Sequence, residues 1–397
     1  MNLRKEVGGT TLLLAALLSL IACAPQSEPP SDARNGGTDR AGSGGEQGGA
    51  QEEKEEGSVA VEKMGVREMV GQMFVVSVGG TEPDYFIEKM VRERNIGGVI
   101  LLGHNMRGRD QVRSLTGSLQ QLSMRTEPAV PLFVAVDQEG GDIASAPWVA
   151  PQPSAAEVGR RGDPAEARAV AGRIGEELLG AGVNTNFAPV VDTGFGAAIG
   201  NRSYGEDPAL VSRMGAASVE GFEGAGIVSA AKHFPNHGPA VADSHRALPV
   251  VDHDMETLRS YDLPPFRAAV EAGVPMVMAG HLLYPAVDAE RPASLSQEWM
   301  GLLREDLGFE GVIVTDDLAM AGASGGGTPE RAAVEAVEAG ADLLIVSSPP
   351  RQQADAYDAV VAAVESGRIP EARVRDSVRR LIELKETYDF AWGSRSR

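Results

Sequence analysis

Eight short apolar segments, separated by amphipathic stretches rich in Ala, Glu and Arg, constrain the fold of this chain more than any other feature. The segments are apolar throughout instead of alternating with polar residues, which is typical of parallel strands buried on both faces. Eight strand–helix alternations in succession predict an α/β fold of the (β/α)8 TIM barrel type, built as a single domain. The segments begin at Met73, Gly97, Pro131, Val183, Ile227, Val274, Gly311 and Ala341.

The stretches between these segments carry helix signals. Residues 164–182 end on a glycine, and residues 328–340 open with a Thr cap followed by Pro in the first turn. A doubly wound α/β sheet is the alternative, and it would more often show a glycine-rich phosphate loop after the first strand. The sequence SVGGTEPD at that place is a poor match to such a loop, so the barrel is favoured.

The N-terminus has the pattern of a targeting segment. Arg4 and Lys5 precede a short apolar stretch that ends directly before Cys23, the only cysteine of the chain. This order is typical of a bacterial lipoprotein signal, and a plain secretory signal with an incidental cysteine is the alternative. We expect residues 1–22 to be removed, and the exported protein to be anchored to the cell membrane through a lipid on Cys23.

The rest of the chain divides by composition. Residues 23–58 are dominated by Gly, Ser, Glu, Gln and Pro, which predicts a disordered tether. The folded domain is expected over residues 59–390, with a short tail at 391–397. The formal net charge of -20 and the lack of basic patches argue against a nucleic-acid partner.

Polar side chains follow five of the predicted strands. In a barrel of parallel strands these ends meet at one face, which is where active sites lie. One such residue could be a cap or a satisfied core group, but five converging ends favour a functional site, because unpaired buried charge is costly. The residues are Asp137, Asp192, Lys232 with His233, His281, and Asp316 with Asp317.

Residues 232–249 hold three of the six histidines, yet a metal site is disfavoured. His233 and His237 are four residues apart, but Pro235 prevents a helix and no third ligand follows at a recognised spacing. A serine-hydrolase triad is also disfavoured, because its members come from separate loops instead of neighbouring positions. The GxSxG match at 322–326 has no strand leading directly into it. We expect neither a metal nor another cofactor.

Asp243 and His245 suit another kind of chemistry. In a loop the carboxylate can contact the imidazole, fix its tautomer and raise the basicity of the other ring nitrogen. The natural counterpart of such an acid/base is a carboxylate nucleophile at a strand end, and Asp316 is available. Together they describe a retaining glycosidase in which histidine replaces the usual second carboxyl group.

Seven motifs resemble, in their order along the chain, those of family 3 glycoside hydrolases of the β-N-acetylhexosaminidase branch, bacterial enzymes that release N-acetylglucosamine from cell-wall fragments. The resemblance covers about residues 62–390. The branch marker is the Asp-Ser-His loop after the fifth strand, which the family's β-glucosidases lack. The motifs occupy residues 135–141, 184–192, 199–208, 230–238, 243–249, 277–288 and 303–320.

The resemblance implies a role for individual residues. Asp316 matches the catalytic nucleophile, and His245 matches the acid/base with Asp243 as its partner. The residues that match sugar-binding positions are Asp137, Arg202, Lys232 and His233.

The chain departs from the family pattern at two places. The family usually has arginines where this chain has Asp142 and Ser145, so one sugar contact is missing. In the histidine loop, Asn236 replaces Gly and Pro239-Ala240 replaces Asp-Thr, although the loop length is kept. These changes put substrate preference in doubt more than catalysis.

We therefore expect a monomeric, lipid-anchored, retaining exo-β-N-acetylglucosaminidase that acts on peptidoglycan or muropeptides. A β-glucosidase or a glycoside phosphorylase of the same family is one alternative. A non-catalytic sugar-binding lipoprotein is another, suggested by Asp142 and Ser145.

Overall fold

The computed structural model describes residues 61–324 and 328–390 of the 397-residue chain. The predicted signal peptide with its lipidation residue Cys23, the tether and the C-terminal tail lie outside the described residues. Within the described part, no helix has both the length and the apolar character needed to cross a membrane.

Eight parallel strands form a closed barrel. The first seven strands pair in chain order, each with the next, and the eighth strand pairs with the first through Leu344 and Phe74. A parallel bridge between Val314 in the seventh strand and Leu343, directly before the eighth, completes the circle. The strands are β1 Phe74–Ser77, β2 Gly98–Ile100, β3 Phe133–Val136, β4 Thr185–Asn186, β5 Val228–Phe234, β6 Met276–Ala279, β7 Val312–Thr315 and β8 Leu344–Val346.

This closure confirms the predicted (β/α)8 barrel and excludes the open doubly wound sheet. All eight predicted apolar segments contain a barrel strand, although each strand is shorter than its segment. Strands β3, β6 and β7 are buried along their whole length, as expected where side chains fill the barrel interior on one face and pack under helices on the other.

Helices surround the barrel. The α-helices are α1 Val66–Gln72, α2 Tyr85–Arg94, α3 Arg109–Ser123, α4 Ala155–Arg161, α5 Pro164–Leu179, α6 Pro208–Ala225, α7 Met255–Thr257, α8 Pro264–Glu271, α9 Gln297–Gly301, α10 Ala321–Ser324, α11 Pro329–Ala339, α12 Pro350–Glu365 and α13 Glu371–Thr387. Short 3-10 turns lie at Gly103–Asn105, Gly200–Arg202 and Ala293–Leu295, and π-helical turns at Leu258–Asp262 and Leu302–Asp306.

The two helices predicted from their end signals are both present. Helix α5 starts at Pro164 after Asp163, whose carboxylate accepts a hydrogen bond from Ala165 N at 2.9 Å. Helix α11 starts at Pro329 after Thr328, but the Thr328 side chain makes no capping hydrogen bond. Proline at the first helical position is tolerated there because its missing N–H has no partner in the helix.

A short antiparallel hairpin of Gln138–Gly140 and Ile143–Ala144 leaves the end of β3. Its turn contains Gly140 and Gly141, with φ of +100° and +57°. A Cβ on Gly141 would lie 2.6 Å from Ser154 Cβ, so both backbone conformation and space require glycine. The hairpin was not predicted from the sequence, and it places an additional carboxylate at the C-terminal mouth of the barrel.

The opposite end of the barrel contains a buried lysine on α13. The Nζ atom of Lys385 donates to Gln72 Oε1 and to Gly97 O, both at 3.0 Å, and lies 4.6 Å from the centre of the Phe133 ring. The side chain is fully buried, and burial holds the pKa of Lys385 well below its usual value.

Candidate active site

The ends of β3 and β5 bring a lysine between two carboxylates. Lys232 Nζ lies 2.6 Å from Asp137 Oδ1 and 2.8 Å from Glu139 Oε1. Burial disfavours the charged ammonium, but these two carboxylates outweigh that effect and raise the pKa of Lys232 above its ordinary value. The lysine side chain is almost fully buried, whereas one third of the Asp137 side chain is exposed, so Asp137 presents an oriented carboxylate to the barrel mouth.

Glu139 is a site residue that the sequence analysis missed. Its carboxylate accepts two hydrogen bonds from Arg202, from Nε and from Nη2, both at 2.8 Å, and also contacts Lys232. Burial opposes ionisation, but the charges of Lys232 and Arg202 lower the pKa of Glu139 to about 2. A glutamate two residues beyond Asp137, directly before a glycine pair, was the available signal in the sequence.

Asp192, at the end of the β4 segment, is fully buried and orients a histidine. Its Oδ2 lies 2.7 Å from His233 Nδ1, and its Oδ1 accepts a hydrogen bond from His237 N at 2.6 Å. Burial raises the pKa of Asp192, but the contacts with His233 and His237 outweigh it and lower the pKa. We place a proton on His233 Nδ1, which donates it to this carboxylate, and His233 Nε2 lies 3.4 Å from Arg202 Nη2.

Asp316 follows β7 and is partly exposed at the barrel mouth. Its backbone N–H donates to Ala279 O at 2.9 Å, and its Oδ1 accepts from Asp317 N at 2.8 Å. Burial opposes ionisation, but the charges of His281, His233 and Lys232 outweigh it and lower the pKa of Asp316 to about 2. Asp316 is therefore a carboxylate anion in a cationic environment, available to attack an electrophilic carbon.

The neighbouring polar residues have structural contacts instead. Asp317 accepts hydrogen bonds from Ala319 N and Ser347 N, both at 3.0 Å. His281 is fully buried, with Nδ1 at 2.7 Å from Ser294 Oγ and Nε2 at 2.9 Å from Asp317 O. Both ring nitrogens of His281 are thus occupied within the protein.

The loop after β5 places Asp243 and His245 in contact. Asp243 Oδ1 lies 2.9 Å from His245 Nδ1 and accepts from the His245 backbone N–H at 3.0 Å. Burial raises the pKa of Asp243, but the hydrogen bonds from His245 outweigh it and lower the pKa. The His245 side chain is 68% exposed, so its Nε2 faces open space at the rim of the barrel mouth.

The predicted residues thus form two groups. The residues at the sugar-binding positions inferred from the resemblance lie in one network of charged side chains that also includes Glu139 and Asp192. Two members of this network, His233 and Lys232, contribute to the lowered pKa of Asp316. Asp243 and His245 form a separate pair on the rim. Among the residues that the structure describes, no group of three or more His, Cys, Asp or Glu side chains is arranged to hold a metal ion.

The hairpin turn shows what replaces the arginine that the family pattern would place after the glycine pair. Asp142 is exposed there, and its Oδ2 accepts a hydrogen bond from Asn201 Nδ2 at 2.7 Å. Asp142 therefore joins the hairpin to the segment that carries Arg202.

Comparison with known protein families identifies the family to which this barrel belongs. Residues 65–384 match the N-terminal domain of glycosyl hydrolase family 3. The chain belongs to glycoside hydrolase family 3. The charged strand ends lie at the C-terminal mouth of this barrel, the face at which active sites of the fold are built.

Two similar proteins illustrate the likeness. The chain is 37% identical to beta-hexosaminidase A of Pseudoalteromonas piscicida over 327 residues, which is 75% of this chain and 54% of that protein. It is 36% identical to the beta-hexosaminidase of Thiobacillus denitrificans over 313 residues, which is 76% of this chain and 84% of that protein. The chain thus spans about half the length of the first relative and most of the second.

Solved family 3 structures share the fold. A β-N-acetylglucosaminidase from Paenibacillus sp. superimposes with a TM-score of 0.81 at 41% identity, covering 84% of this chain and 64% of that one. The β-N-acetylhexosaminidase from Beutenbergia cavernae superimposes with a TM-score of 0.76 at 31% identity, covering 82% of this chain and 99% of that one.

Proposed function

We propose that this protein is a retaining exo-β-N-acetylglucosaminidase that removes terminal N-acetylglucosamine from peptidoglycan fragments. The observation that carries the proposal is an ionised Asp316 at the mouth of a barrel whose rim bears the Asp243–His245 pair. The names of the similar proteins, beta-hexosaminidases and a β-N-acetylglucosaminidase, support the choice of sugar.

In the first step the Asp316 carboxylate attacks the anomeric carbon of the terminal sugar. The glycosidic C–O bond breaks, and protonated His245 gives its Nε2 proton to the departing oxygen. The products are a glycosyl ester on Asp316, a neutral His245 and the free leaving group. Asp243 stabilises the imidazolium and holds the ring with Nε2 outward.

In the second step neutral His245 removes a proton from water, and the water oxygen attacks the anomeric carbon. The ester bond to Asp316 breaks, which regenerates the carboxylate and the protonated histidine. Two inversions at one carbon release the sugar with its original β configuration.

The charge network beside Asp316 would bind the terminal sugar. Asp137 can accept hydrogen bonds from hydroxyls at the non-reducing end, while Lys232 and Arg202 donate to hydroxyl oxygens. His233 offers its Nε2 atom beside Arg202, because its Nδ1 is committed to Asp192. A carboxylate that binds the non-reducing end favours an exo cut.

The rim beside His245 supports the choice of leaving group. Val241 is 89% exposed on the acid/base loop, and Phe195 is 49% exposed on a neighbouring loop joined to it by a 2.7 Å hydrogen bond from Gly196 N to Gly238 O. The side chain of Arg246 is exposed on the same loop, and its charge contributes to the lowered pKa of Asp243. Since the acid must reach the glycosidic oxygen, these side chains border the leaving group, and they suit a sugar with an apolar face and a carboxylate, as in N-acetylmuramic acid.

The substrate is tested by kinetics on the mature chain with aryl β-N-acetylglucosaminide, β-glucoside and β-xyloside, and with N-acetylglucosaminyl-β-1,4-N-acetylmuramic acid. We expect the N-acetylglucosaminides to be preferred and the free sugar to be the product. Each assay is repeated with phosphate, because an imidazole acid/base repels an anionic nucleophile less than a carboxylate would, and a sugar 1-phosphate product would favour the phosphorylase alternative. No turnover of any substrate would contradict the enzyme.

We further propose that the protein is exported and held to the membrane by a lipid on Cys23, a proposal supported by the sequence pattern alone. Metabolic labelling with a radioactive fatty acid tests it. We expect the label in the wild type and its loss in Cys23→Ser, with release of that variant from the membrane fraction. An unlabelled wild type that fractionates as soluble would contradict the anchor.

A further inference from the structure

The serine between the two acid/base residues is buried, although Asp243 is partly exposed and His245 is exposed. Ser244 has 2% of its surface exposed, whereas the His245 side chain is 68% exposed. The Ser244 Oγ atom lies 2.9 Å from His237 Nε2, and the Ser244 carbonyl oxygen accepts a hydrogen bond from Gly322 N at 2.9 Å. The Asp243–His245 pair is thus attached to the barrel by the residue that separates its two members.

The first attachment is itself held by the sugar site. The backbone N–H of His237 donates to Asp192, the carboxylate that also binds His233, and the rings of His237 and His233 meet edge to face at 5.8 Å between centroids. His237 therefore cannot shift without disturbing a residue at the position that binds sugar.

The tautomer of His237 follows from its surroundings. Nδ1 is buried and has no hydrogen-bond partner among the described residues. An N–H without a partner in that place would be more costly than an unused ring lone pair, so we assign the proton to Nε2. His237 then donates this proton to Ser244 Oγ. Burial and the nearby His233 lower the pKa of His237.

The second attachment comes from the nucleophile's side of the barrel. Gly322 belongs to α10, which follows Asp316 at the end of β7. A Cβ on Gly322 would lie 2.8 Å from Ser244 O and 3.0 Å from His281 Cβ, so the two segments are in close contact. The acid/base loop is therefore connected to the segment that carries the nucleophile.

We propose that Ser244 is the positioning residue of the acid/base: its contacts with His237 and Gly322, together called the Ser244 clasp, set where Asp243 and His245 stand relative to Asp316. The proposal rests on the proposed function, in which His245 donates a proton to the leaving oxygen. Proton transfer in a transition state requires the donor within hydrogen-bond reach, so loosening the clasp slows the steps that need the proton. Binding of the terminal sugar at Asp137 and Lys232 is not affected.

The test compares two N-acetylglucosaminides that differ in their need for an acid. The disaccharide with N-acetylmuramic acid has a poor leaving group that must be protonated, whereas 2,4-dinitrophenolate leaves without a proton. For Ser244→Ala we expect kcat/KM to fall about tenfold to a hundredfold on the disaccharide and less than about threefold on the dinitrophenyl substrate. Ser244→Thr, which retains the hydroxyl, should recover most of the loss.

Ser294→Ala is the matched control. It removes another buried serine–histidine hydrogen bond, from Ser294 Oγ to His281 Nδ1, outside the acid/base loop. Any effect of Ser294→Ala should be equal on the two substrates. Gly322→Ala crowds the other side of the clasp and should also lose activity selectively on the disaccharide. This variant replaces Ser244→Ala in the test if Ser244→Ala does not fold.

His245→Ala in the same assays separates this proposal from the proposed function. If His245→Ala shows no selective loss on the disaccharide, His245 is not the acid, and the positioning role of Ser244 is overturned as well. If His245→Ala is selective while folded Ser244→Ala loses nothing, or loses equally on both substrates, the clasp alone is overturned.

Discussion

The carboxylate of Glu139 and the guanidinium of Arg202 are joined by two parallel hydrogen bonds of 2.8 Å, across 63 residues of sequence. Arg202 belongs to the 3-10 turn Gly200–Arg202, and Glu139 to the hairpin that leaves β3. Because Lys232 contacts the same carboxylate, one buried anion sets the position of two cations at the barrel mouth. Glu139 therefore fixes the positions of Arg202 and Lys232, two residues that the proposed function assigns to sugar binding.

Replacing Glu139 by Gln should impair both activity and stability. Glutamine keeps the shape but removes the charge, which leaves Arg202 without a carboxylate and Lys232 with Asp137 alone. We expect kcat/KM to fall about a hundredfold and the free energy of unfolding to fall by about 3–5 kcal/mol, as for one partner removed from a buried ion pair. Enzyme kinetics and urea unfolding measure the two effects.

The control for that variant is Glu166→Gln. Glu166 pairs with Arg161 at 2.6 Å on the protein surface, where such a pair contributes less than about 1 kcal/mol. Similar losses in the two variants would contradict a positioning role for Glu139.

The acid stability of the protein should depend on Glu139. Its pKa is lowered to about 2 in the folded state from 4.5 in an unperturbed chain, so its stabilising contribution is complete above the higher value and is lost as the pH falls through the lower one. A shift of this size corresponds to roughly 3 kcal/mol between the two limits. Urea unfolding at several pH values should show a smaller decrease for Glu139→Gln than for the wild type across this window. Parallel curves would show that Glu139 is not the group that titrates.

The buried Lys385 predicts a second pH dependence of stability, which comes from a cationic group instead of a carboxylate. Because burial holds its pKa well below 10.5, the folded state binds fewer protons than the unfolded state below that value, and stability rises with pH. Lys385→Met has no such group, so its free energy of unfolding should rise less steeply between neutral and alkaline pH. Lys63→Met, at an exposed position ahead of α1, is the control and should keep the wild-type slope. Wild-type slope in Lys385→Met would mean that the lysine is charged in the folded protein.

Arg246 should distinguish leaving groups by charge. If it contacts a carboxylate on the leaving sugar, Arg246→Ala should lower kcat/KM about tenfold on the disaccharide with N-acetylmuramic acid, as for a lost charge-assisted hydrogen bond. It should change kcat/KM little on N,N′-diacetylchitobiose, whose leaving sugar is neutral. Arg259→Ala, a surface arginine on the π-helical turn Leu258–Asp262, is the control. An equal loss on both disaccharides would contradict recognition of an acidic leaving group.

The parts of this structure that sequence could predict are the local and the periodic ones. The eight buried strands can be recognised in the sequence as apolar segments. The contact between Asp243 and His245 can be predicted because the two residues are two positions apart in one loop. Lys232 could be placed at a strand end, but its contact with Asp137 joins positions 95 residues apart, which only the closed barrel brings together.

The parts that sequence could not predict depend on tertiary packing. Glu139 is an ordinary charged residue in a short strand, and nothing local shows that two cations neutralise it. Lys385 lies in a helix rich in arginine and glutamate, where a charged side chain is normally exposed, yet the base of the barrel encloses it. Ser244 has one partly exposed and one exposed neighbour, and its burial follows from the positions of His237 and Gly322 on other segments.

The central claim is that Asp316 forms a covalent ester with N-acetylglucosamine, and trapping that ester tests it most directly. The mature protein is treated with a fluorinated aryl N-acetylglucosaminide whose glycosyl-enzyme hydrolyses slowly, and the digested protein is examined by mass spectrometry. We predict one added sugar on the peptide that contains Asp316, and no label in Asp316→Ala. A label on another residue, or undiminished turnover of the aryl substrate by Asp316→Ala, would contradict the account.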